Sequence, residues 1–409
     1  MRMVVKATRL HGYSLYATKV ACTAAEKKGY PLFKKRSDSG SIAIKSKKGR
    51  AAGMKNYKLQ DYVAKGKEIF VGLEDSKKTW KLAVRSDKML IQQVSMEADY
   101  PVLIRYLRNK FPECTIHLIY EAGFKGFNLY DQLIADGIDC VVIPPHVVTE
   151  PKVNRIKTDK RDARRLAKVL ENHDFKDSCY VPDKERREDR QVSRTLVALQ
   201  KDVVRTRNRI RKFLDFHGIE VSFTGRWGRD EFRALTKLEL SEPLRVSLDI
   251  LLAQLEELWT HQVTLRAALR KLSQKERYHK AFTIAHSLPG IGRLTAIRLV
   301  LELGEDLSRF GSGKKIASFV GLTPSENSSG ETEHRGRITG MGSGFMRAIL
   351  IENSWIAIRK DPVLLAKFTR VWHASGNRKK GIVAVARMLI VRLRACVMSG
   401  TPYKIGIAA

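Results

Sequence analysis

From Ile69 onward the chain alternates short apolar runs with turn residues, a pattern with the length and period of strands. Ile69-Phe70-Val71-Gly72-Leu73 ends at Glu74, Trp80-Lys81-Leu82-Ala83-Val84 returns as its hairpin partner, and Met89 to Met96 supplies a third strand. A helix over 98–110 leads into the strand Ile116-His117-Leu118-Ile119-Tyr120, which stops at Glu121. Gly126 to Ala135 reads as the next helix, and Cys140-Val141-Val142-Ile143 as a buried strand ended by Pro144-Pro145. Strands interleaved with helices predict an α/β unit whose ligands gather where the strands end.

Between about 186 and 275 the period lengthens to that of a helix. Leu196, Leu199, Val203, Ile210 and Phe213 follow a 3-4 spacing, and Leu244, Leu248, Leu251, Leu255, Leu258, Leu265, Leu269 and Leu272 keep it more strictly. Two such helices, linked through Gly218 to Pro243, predict a long antiparallel coiled coil or dimerisation stalk. Arg205, Arg207, Arg209 and Arg211 crowd one of them, either as a solvated face or as a track for a polyanion. Further on, Ser287-Leu288-Pro289-Gly290-Ile291-Gly292 precedes the helical Thr295-Ala296-Ile297-Arg298-Leu299. A Pro-Gly-x-Gly turn between helices resembles the helix-hairpin-helix, in which exposed backbone N–H groups, here near Gly290 and Gly292, hold a phosphate. A plain Gly-rich turn is the alternative. Leu322 to Gly330 leads into a basic loop through His334, Arg335 and Arg337, followed by an apolar helix from about 344 to 359. Trp372 to Ser375 are expected to make a turn before a final helix over 380–398. The expected division is a basic arm over 1–66, an α/β domain over 67–185, a stalk over 186–276 and a mostly helical domain over 277–409.

Charge adds a partner. The chain has 76 Lys plus Arg against 43 Asp plus Glu, a net charge of +33 and a pI near 10.1. Such an excess implies a polyanion, because neutralising phosphates releases counterions and steers association. Nucleic acid, a ribosome and an anionic membrane surface all satisfy that arithmetic. No apolar stretch long enough to span a bilayer and no clean export signal is present, so a cytoplasmic protein with no membrane partner is expected. Cys22, Cys114, Cys140, Cys179 and Cys396 form no CxxC, which argues against a zinc ribbon or a disulfide framework. The arm, with Lys34-Lys35-Arg36 and Lys47-Lys48-Gly49-Arg50 among Ser and Gly, reads as a disordered basic segment or as sequence ahead of a start at Met54.

Against that charge four carboxylates stand out. Glu74 and Glu121 each close an apolar run, and Asp159 and Asp162, three apart in a basic helix, share one face. Acids beside phosphate make sense when divalent ions sit between them, activating a nucleophile and steadying a leaving oxygen. One acid after a strand is ordinarily a solvated end, so the set informs through its order and spacing. The reading is a metal-dependent enzyme acting on nucleic acid.

Gly72-Leu73-Glu74-Asp75-Ser76-Lys77, Tyr120-Glu121-Ala122-Gly123 with Gly126 and Leu129-Tyr130, and Lys157-Thr158-Asp159-Lys160-Arg161-Asp162-Ala163 resemble, in order, one known domain. It is the RuvC-like DEDD domain of the insertion-sequence one-ten family of transposases, relatives of the pilin-gene invertase. The carboxyl half resembles the family's serine transposase domain through Leu288-Pro289-Gly290-Ile291-Gly292 with Thr295-Ala296, Gly321-Leu322-Thr323-Pro324, Ser329-Gly330 and Gly336-Arg337-Ile338-Thr339. The likeness spans about residues 68–400 and implies an RNase H/RuvC-like α/β fold followed by an all-α region.

By that resemblance Glu74, Glu121, Asp159 and Asp162 are catalytic ligands of Mg²⁺ or Mn²⁺, and Ser329 is the nucleophile, with Ser328 as fallback. Attack by Ser329 would leave a DNA phosphoseryl intermediate that stores bond energy for rejoining, its phosphorane charge stabilised by Arg335 and Arg337. His334 is either a base for Ser329 or an ordinary loop residue. The family's first acid is Asp in Gly-Ile-Asp-x-Ser-Lys, whereas this chain has Glu74 followed by Asp75, so the ligand comes from Glu74, from Asp75 or from neither. Gly340-Met341 replaces a basic pair, removing a phosphate contact. The resemblance further implies dimers that pair into a tetramer with composite sites, acting on donor and target DNA.

It also implies a structured non-coding bridge RNA that pairs with both DNAs. Nothing among the residues reads a base sequence, which is consistent with delegating that choice to base pairing. The expectation is a bridge-RNA-guided DNA recombinase of an insertion element, associated with the nucleoid. Its rivals are a structure-specific RuvC-like nuclease using metals and water, and a catalytically silent nucleic-acid-binding protein.

Overall fold

A computed structural model describes residues 66–145, 158–175, 178–221, 227–326 and 335–406. Residues 1–65 of the expected arm, including Met54, lie outside the described residues. The chain divides into two compact units, Met1–Ser178 and Cys179–Ala409.

Alternation and turn residues produce the strands of the first unit: β1 (Glu68–Asp75), β2 (Thr79–Ser86), β3 (Met89–Glu97), β4 (Thr115–Glu121) and β5 (Asp139–Ile143). Their order is β3-β2-β1-β4-β5. The pairs β1/β2 and β2/β3 are antiparallel, and β1/β4 and β4/β5 are parallel, so the expected mixed α/β sheet is present. Helix α1 (Tyr100–Lys110) follows β3, α2 (Asn128–Ala135) follows β4, and α3 (Asp159–Glu171) completes the unit. Central β1 is apolar on both faces because both are covered. Ile69, Val71 and Leu73 are wholly buried on one face. On the other, Phe70 joins Ile119, Ile143, Leu166 and Leu170 in a cluster under α3.

The approach of α3 depends on small residues. Ala163 and Ala167 face β1, and a Cβ placed on Gly72 would lie 2.2 Å from the Ala163 carbonyl oxygen and 2.3 Å from the Ala167 nitrogen. Both contacts are to backbone, so only glycine lets the helix settle this close.

The second unit is mostly helical, as expected. Helix α4 (Lys184–Phe216) runs antiparallel to α6 (Glu242–Leu272), and α5 (Arg229–Thr236) lies between them in sequence. Near the start of α4, Asp189 meets Lys275 just past the end of α6, while farther out Arg209 Nη1 reaches Gln254 Oε1 at 3.3 Å. The link over 218–243, to which the sequence assigned no element, contains α5 and the buried Trp227. The Gly228 N–H donates to Glu231 at 2.7 Å, which closes the first turn of α5, and Leu235 buries its apolar side.

Beyond the pair come α7 (Glu276–Ser287), α8 (Arg293–Leu303), α9 (Gly313–Val320), β6 (Pro324–Glu326), β7 (Arg335–Ile338), α10 (Gly344–Ala357), α11 (Pro362–Ser375) and α12 (Arg378–Ser399). One core fills this region and takes in Leu196, Leu269 and Leu272 from the base of the helical pair. A separate cluster of Val203, Ile210, Leu214, Trp227, Leu235, Leu248, Leu252 and Leu255 fills its outer end. Two local expectations are corrected. Trp372 to Ser375 continue α11, where Trp372 packs on Phe368 at 5.7 Å, and the reversal falls at Gly376 with Asn377 capping α12. Arg335 and Arg337, expected on a loop, lie on β7, which pairs with β6. Among the described residues no helix is long and apolar enough to cross a membrane.

Candidate active site

Strand periodicity decides which acids can meet. Gly72 touches α3, and side chains two apart on a strand share a face, so Glu74 falls on the α3 face. Leu73 pairs in parallel register with Tyr120, so the next residues, Glu74 and Glu121, end adjacent strands on that same face. Glu121 also follows Ile119, which packs under α3, by two residues. Asp159 and Asp162 occupy the first turn of α3. The Arg165 Nη2 of the next turn lies 3.9 Å from Glu121 Oε1, so α3 reaches the end of β4. The four acids singled out in the sequence therefore belong to one face and one end of the first unit.

Their environments differ. Glu74 and Glu121 are half-buried and Asp159 is exposed, whereas Asp162 is only 7% exposed. A buried carboxylate needs a cation or hydrogen-bond donors, and among the described residues Asp162 has neither at its side chain. Acids in a first helical turn also complement the helix dipole, which accounts for part of their placement. Lys81, opposite Glu74 in the β1/β2 register, adds a cation on the same face.

Asp75 has a different task. One residue along the strand, it faces away from α3 and accepts a hydrogen bond from the Trp80 indole at 2.7 Å. Lys125, just beyond β4, makes an ion pair with it at 3.0 Å and stands 4.7 Å from the Trp80 ring centroid. The Asp75 side chain is 5% exposed. Its carboxylate thus ties the ends of β1 and β2 to the segment following Glu121. Sequence reasoning missed this clamp, although strand parity separates Asp75 from Glu74 and puts Trp80 opposite Asp75. Nearby, burial pushes the Tyr120 phenol and the Cys140 thiol above their ordinary values, so both act as neutral wall.

The four acids suit a hard divalent ion by chemistry, being all-oxygen donors from three elements. Among the described residues no three acidic, histidine or cysteine side chains stand together as a ready cage. A cavity of about 480 Å³ lies at the other end of the sheet, lined by Arg108, Glu113, Thr115, Asp136 and Asp139 among others, and includes none of the four.

In the second unit Ser328, Ser329 and His334 lie outside the described residues, as does the side chain of Arg335. Arg337 is exposed on β7, and its carbonyl accepts from the Ser325 hydroxyl at 3.1 Å. Gly290 has φ +80°, and its α-carbon faces α10, where a Cβ would lie 2.5 Å from the Asn353 carbonyl oxygen. Gly292 is the N-cap of α8 and faces open space.

The class of protein is given by comparison with known families, and it is that of a transposase: residues 63–219 match the DEDD family profile described as "Transposase". Residues 283–369 match the profile "Transposase IS116/IS110/IS902 family". The chain is 27% identical over 307 residues to "Putative transposase y4qE" of Sinorhizobium fredii, covering 72% of this chain and 73% of the relative. It is 25% identical over 259 residues to "Transposase for insertion sequence element IS1533" of Leptospira borgpetersenii, covering 62% and 74%. A third relative, "Pilin gene-inverting protein" of Moraxella bovis, is 31% identical over 130 residues, covering 31% and 40%. The chain belongs to the IS110/IS116/IS902 family of insertion-sequence transposases. Its DEDD domain implies use of a divalent metal.

Proposed function

We propose that the protein recombines the DNA of an insertion element through a serine nucleophile assisted by divalent metal, guided by a bridge RNA. The observation that carries this reading is the shared face of Glu74, Glu121, Asp159 and Asp162 at the end of β1 and β4. These four carboxylates would hold Mg²⁺ or Mn²⁺, and Glu74 rather than Asp75 supplies the first, because Asp75 faces the opposite way and is engaged by Trp80 and Lys125. A bound divalent ion supplies Lewis acidity and charge neutralisation at the phosphodiester.

The chain's own groups do the rest. Asp162, held in a buried first turn, fixes one carboxylate beneath α3, and the Asp75 clamp keeps the ends bearing Glu74 and Glu121 in register. Ser329 Oγ attacks the phosphorus, its proton leaves to solvent or a nearby base, and the 3′ or 5′ oxygen departs, leaving a phosphoseryl linkage. Arg335 and Arg337 stabilise the charge on the transferred phosphoryl group. The helical pair α4/α6 acts as a coiled-coil dimerisation stalk, and subunits assembled in pairs contribute composite sites. Work on chromosomal DNA would place the protein in the cytoplasm, beside the nucleoid.

The test uses full-length protein, donor and target DNA, RNA transcribed from the element's flank, and Mg²⁺. A covalent protein–DNA adduct on the wild type, absent in Ser329→Ala and in Glu121→Ala, is the expected outcome. Metal-dependent cleavage without an adduct would instead identify a RuvC-like nuclease. Equal breakage by wild type and Glu121→Ala would leave a silent nucleic-acid-binding protein.

A further inference from the structure

A small cavity of about 160 Å³ opens in the second unit between the last turns of α6 and the first turn of α8. Arg266, Arg270 and Ser273 line it from one side, and Arg293, Leu294 and Ile297 from the other. Three arginines and no acidic residue line this space, and the lining surface between them is mostly apolar. Among the described residues none of the three makes an ion pair. Arg266 Nη2 only approaches Gln262 Oε1 at 3.4 Å, and its Nε is buried without a hydrogen-bond partner.

Arg270 and Arg293 are exposed and Arg266 is half-buried, so the set carries positive charge that is open to a partner. Just behind them Arg298 is buried, and burial followed by the proximity of Arg266 brings its guanidinium down to about 10. The α8 terminus adds donors. Its N-cap is Gly292, which has no side chain to satisfy the first-turn N–H groups. The cavity is about five times the roughly 30 Å³ that a water occupies in the liquid, enough for a phosphate group with some of its water.

We infer that Arg266, Arg270 and Arg293, their charged heads at the rim of this cavity, form with the open N-terminus of α8 a binding site for a backbone phosphate of nucleic acid. The occupant is a phosphodiester rather than a base, because planar forks and the backbone N–H groups of a helix N-terminus together match phosphate oxygens, and a helix N-terminus favours an anion over a neutral base edge. The inference rests on the recombinase reading only for the source of the polyanion. It moves the phosphate contact away from Gly290, which faces α10, to a named set of side chains around the Gly292 cap.

Full-length wild type and the combined variant Arg266→Gln/Arg270→Gln/Arg293→Gln are titrated with a short labelled DNA duplex and a single-stranded RNA across a salt series, in chelator. Without divalent metal the readout is equilibrium binding alone, so failure of this site and failure of strand-transfer chemistry stay distinguishable. The variant is expected to bind at least about tenfold more weakly, with the slope of log K against log salt lowered by about 0.9 for duplex or about 0.7 for single strand per phosphate released. Arg233→Gln, an exposed arginine away from the cavity, supplies the reference for losing charge at random. A loss confined to duplex assigns the site to DNA and one confined to RNA assigns it to the guide. A change no larger than that of Arg233→Gln with either polymer overturns the proposal.

If the combined variant does not fold, arginine-directed modification of the wild type by phenylglyoxal replaces it. Arg270 and Arg293 should be protected by duplex or RNA. Protection by inorganic phosphate alone, or by nothing, overturns the proposal.

Discussion

Replacing Glu74 by Gln and Asp75 by Asn should have opposite signatures, although the two residues are adjacent. Glu74→Gln is expected to lower Mg²⁺-dependent cleavage by more than about 100-fold while leaving the unfolding midpoint nearly unchanged, since outer-shell losses alone cost 10–100-fold. Asp75→Asn should retain metal binding and lose on the order of 2–3 kcal/mol of stability, less than a fully buried pair because Lys125 is 26% exposed. Calorimetric titration with Mn²⁺ and urea unfolding separate these effects. If Asp75→Asn lost the metal and Glu74→Gln kept it, the ligand assignment would be reversed. Strand parity put the two acids on opposite faces in the sequence itself. Which face the covering helix would take was not legible, because that depends on Gly72 meeting Ala163 and Ala167 across nearly a hundred residues.

At the level of elements, the seat of α3 on β1 is the most sensitive joint. Gly72→Ala places a methyl against helix backbone and is expected to cost about 1–3 kcal/mol, the usual range for overpacking, while moving Asp159 and Asp162 away from Glu74. Thermal unfolding should show the loss, and cleavage should fall further than stability explains. The start of α4 offers a pH test. Asp183 accepts from the Arg186 N–H at 2.9 Å and from Arg277 Nη1 at 2.8 Å, and hydrogen bonds from Arg277 hold its carboxyl below the usual range. A depressed carboxylate contributes stability that is complete above its unfolded value of about 3.9 and is lost as pH falls toward the folded value. Unfolding of the second unit followed below pH 4 should therefore steepen in wild type and flatten in Arg277→Gln. Identical profiles would remove Asp183 from the account. The five strands were readable because alternation and terminal acids or prolines mark them. Helix α5 and the end of α11 were not, since Leu235 and Trp372 are held in helix by tertiary packing, Leu235 beside the buried Trp227 and Trp372 against the main core. The β6/β7 hairpin was missed because its short strands carry little periodic signal.

For the molecule as a whole, the net charge of +33 governs how it meets nucleic acid. If six to ten phosphates are neutralised, affinity for duplex should fall roughly 10³–10⁵-fold between 50 and 200 mM salt, and filter binding or anisotropy would show it. A nearly flat dependence would mean that the cations serve another purpose. The helical pair of the second unit has two cores, one shared with the domain at its base and one closed by Trp227 and α5 at its outer end, with buried Gln262 between them in sequence along α6. Two separate cores make the outer end a detachable module: under the proposed stalk role, lengthening, shortening or trading that distal cassette would alter which copies recognise each other without rebuilding the machinery below it.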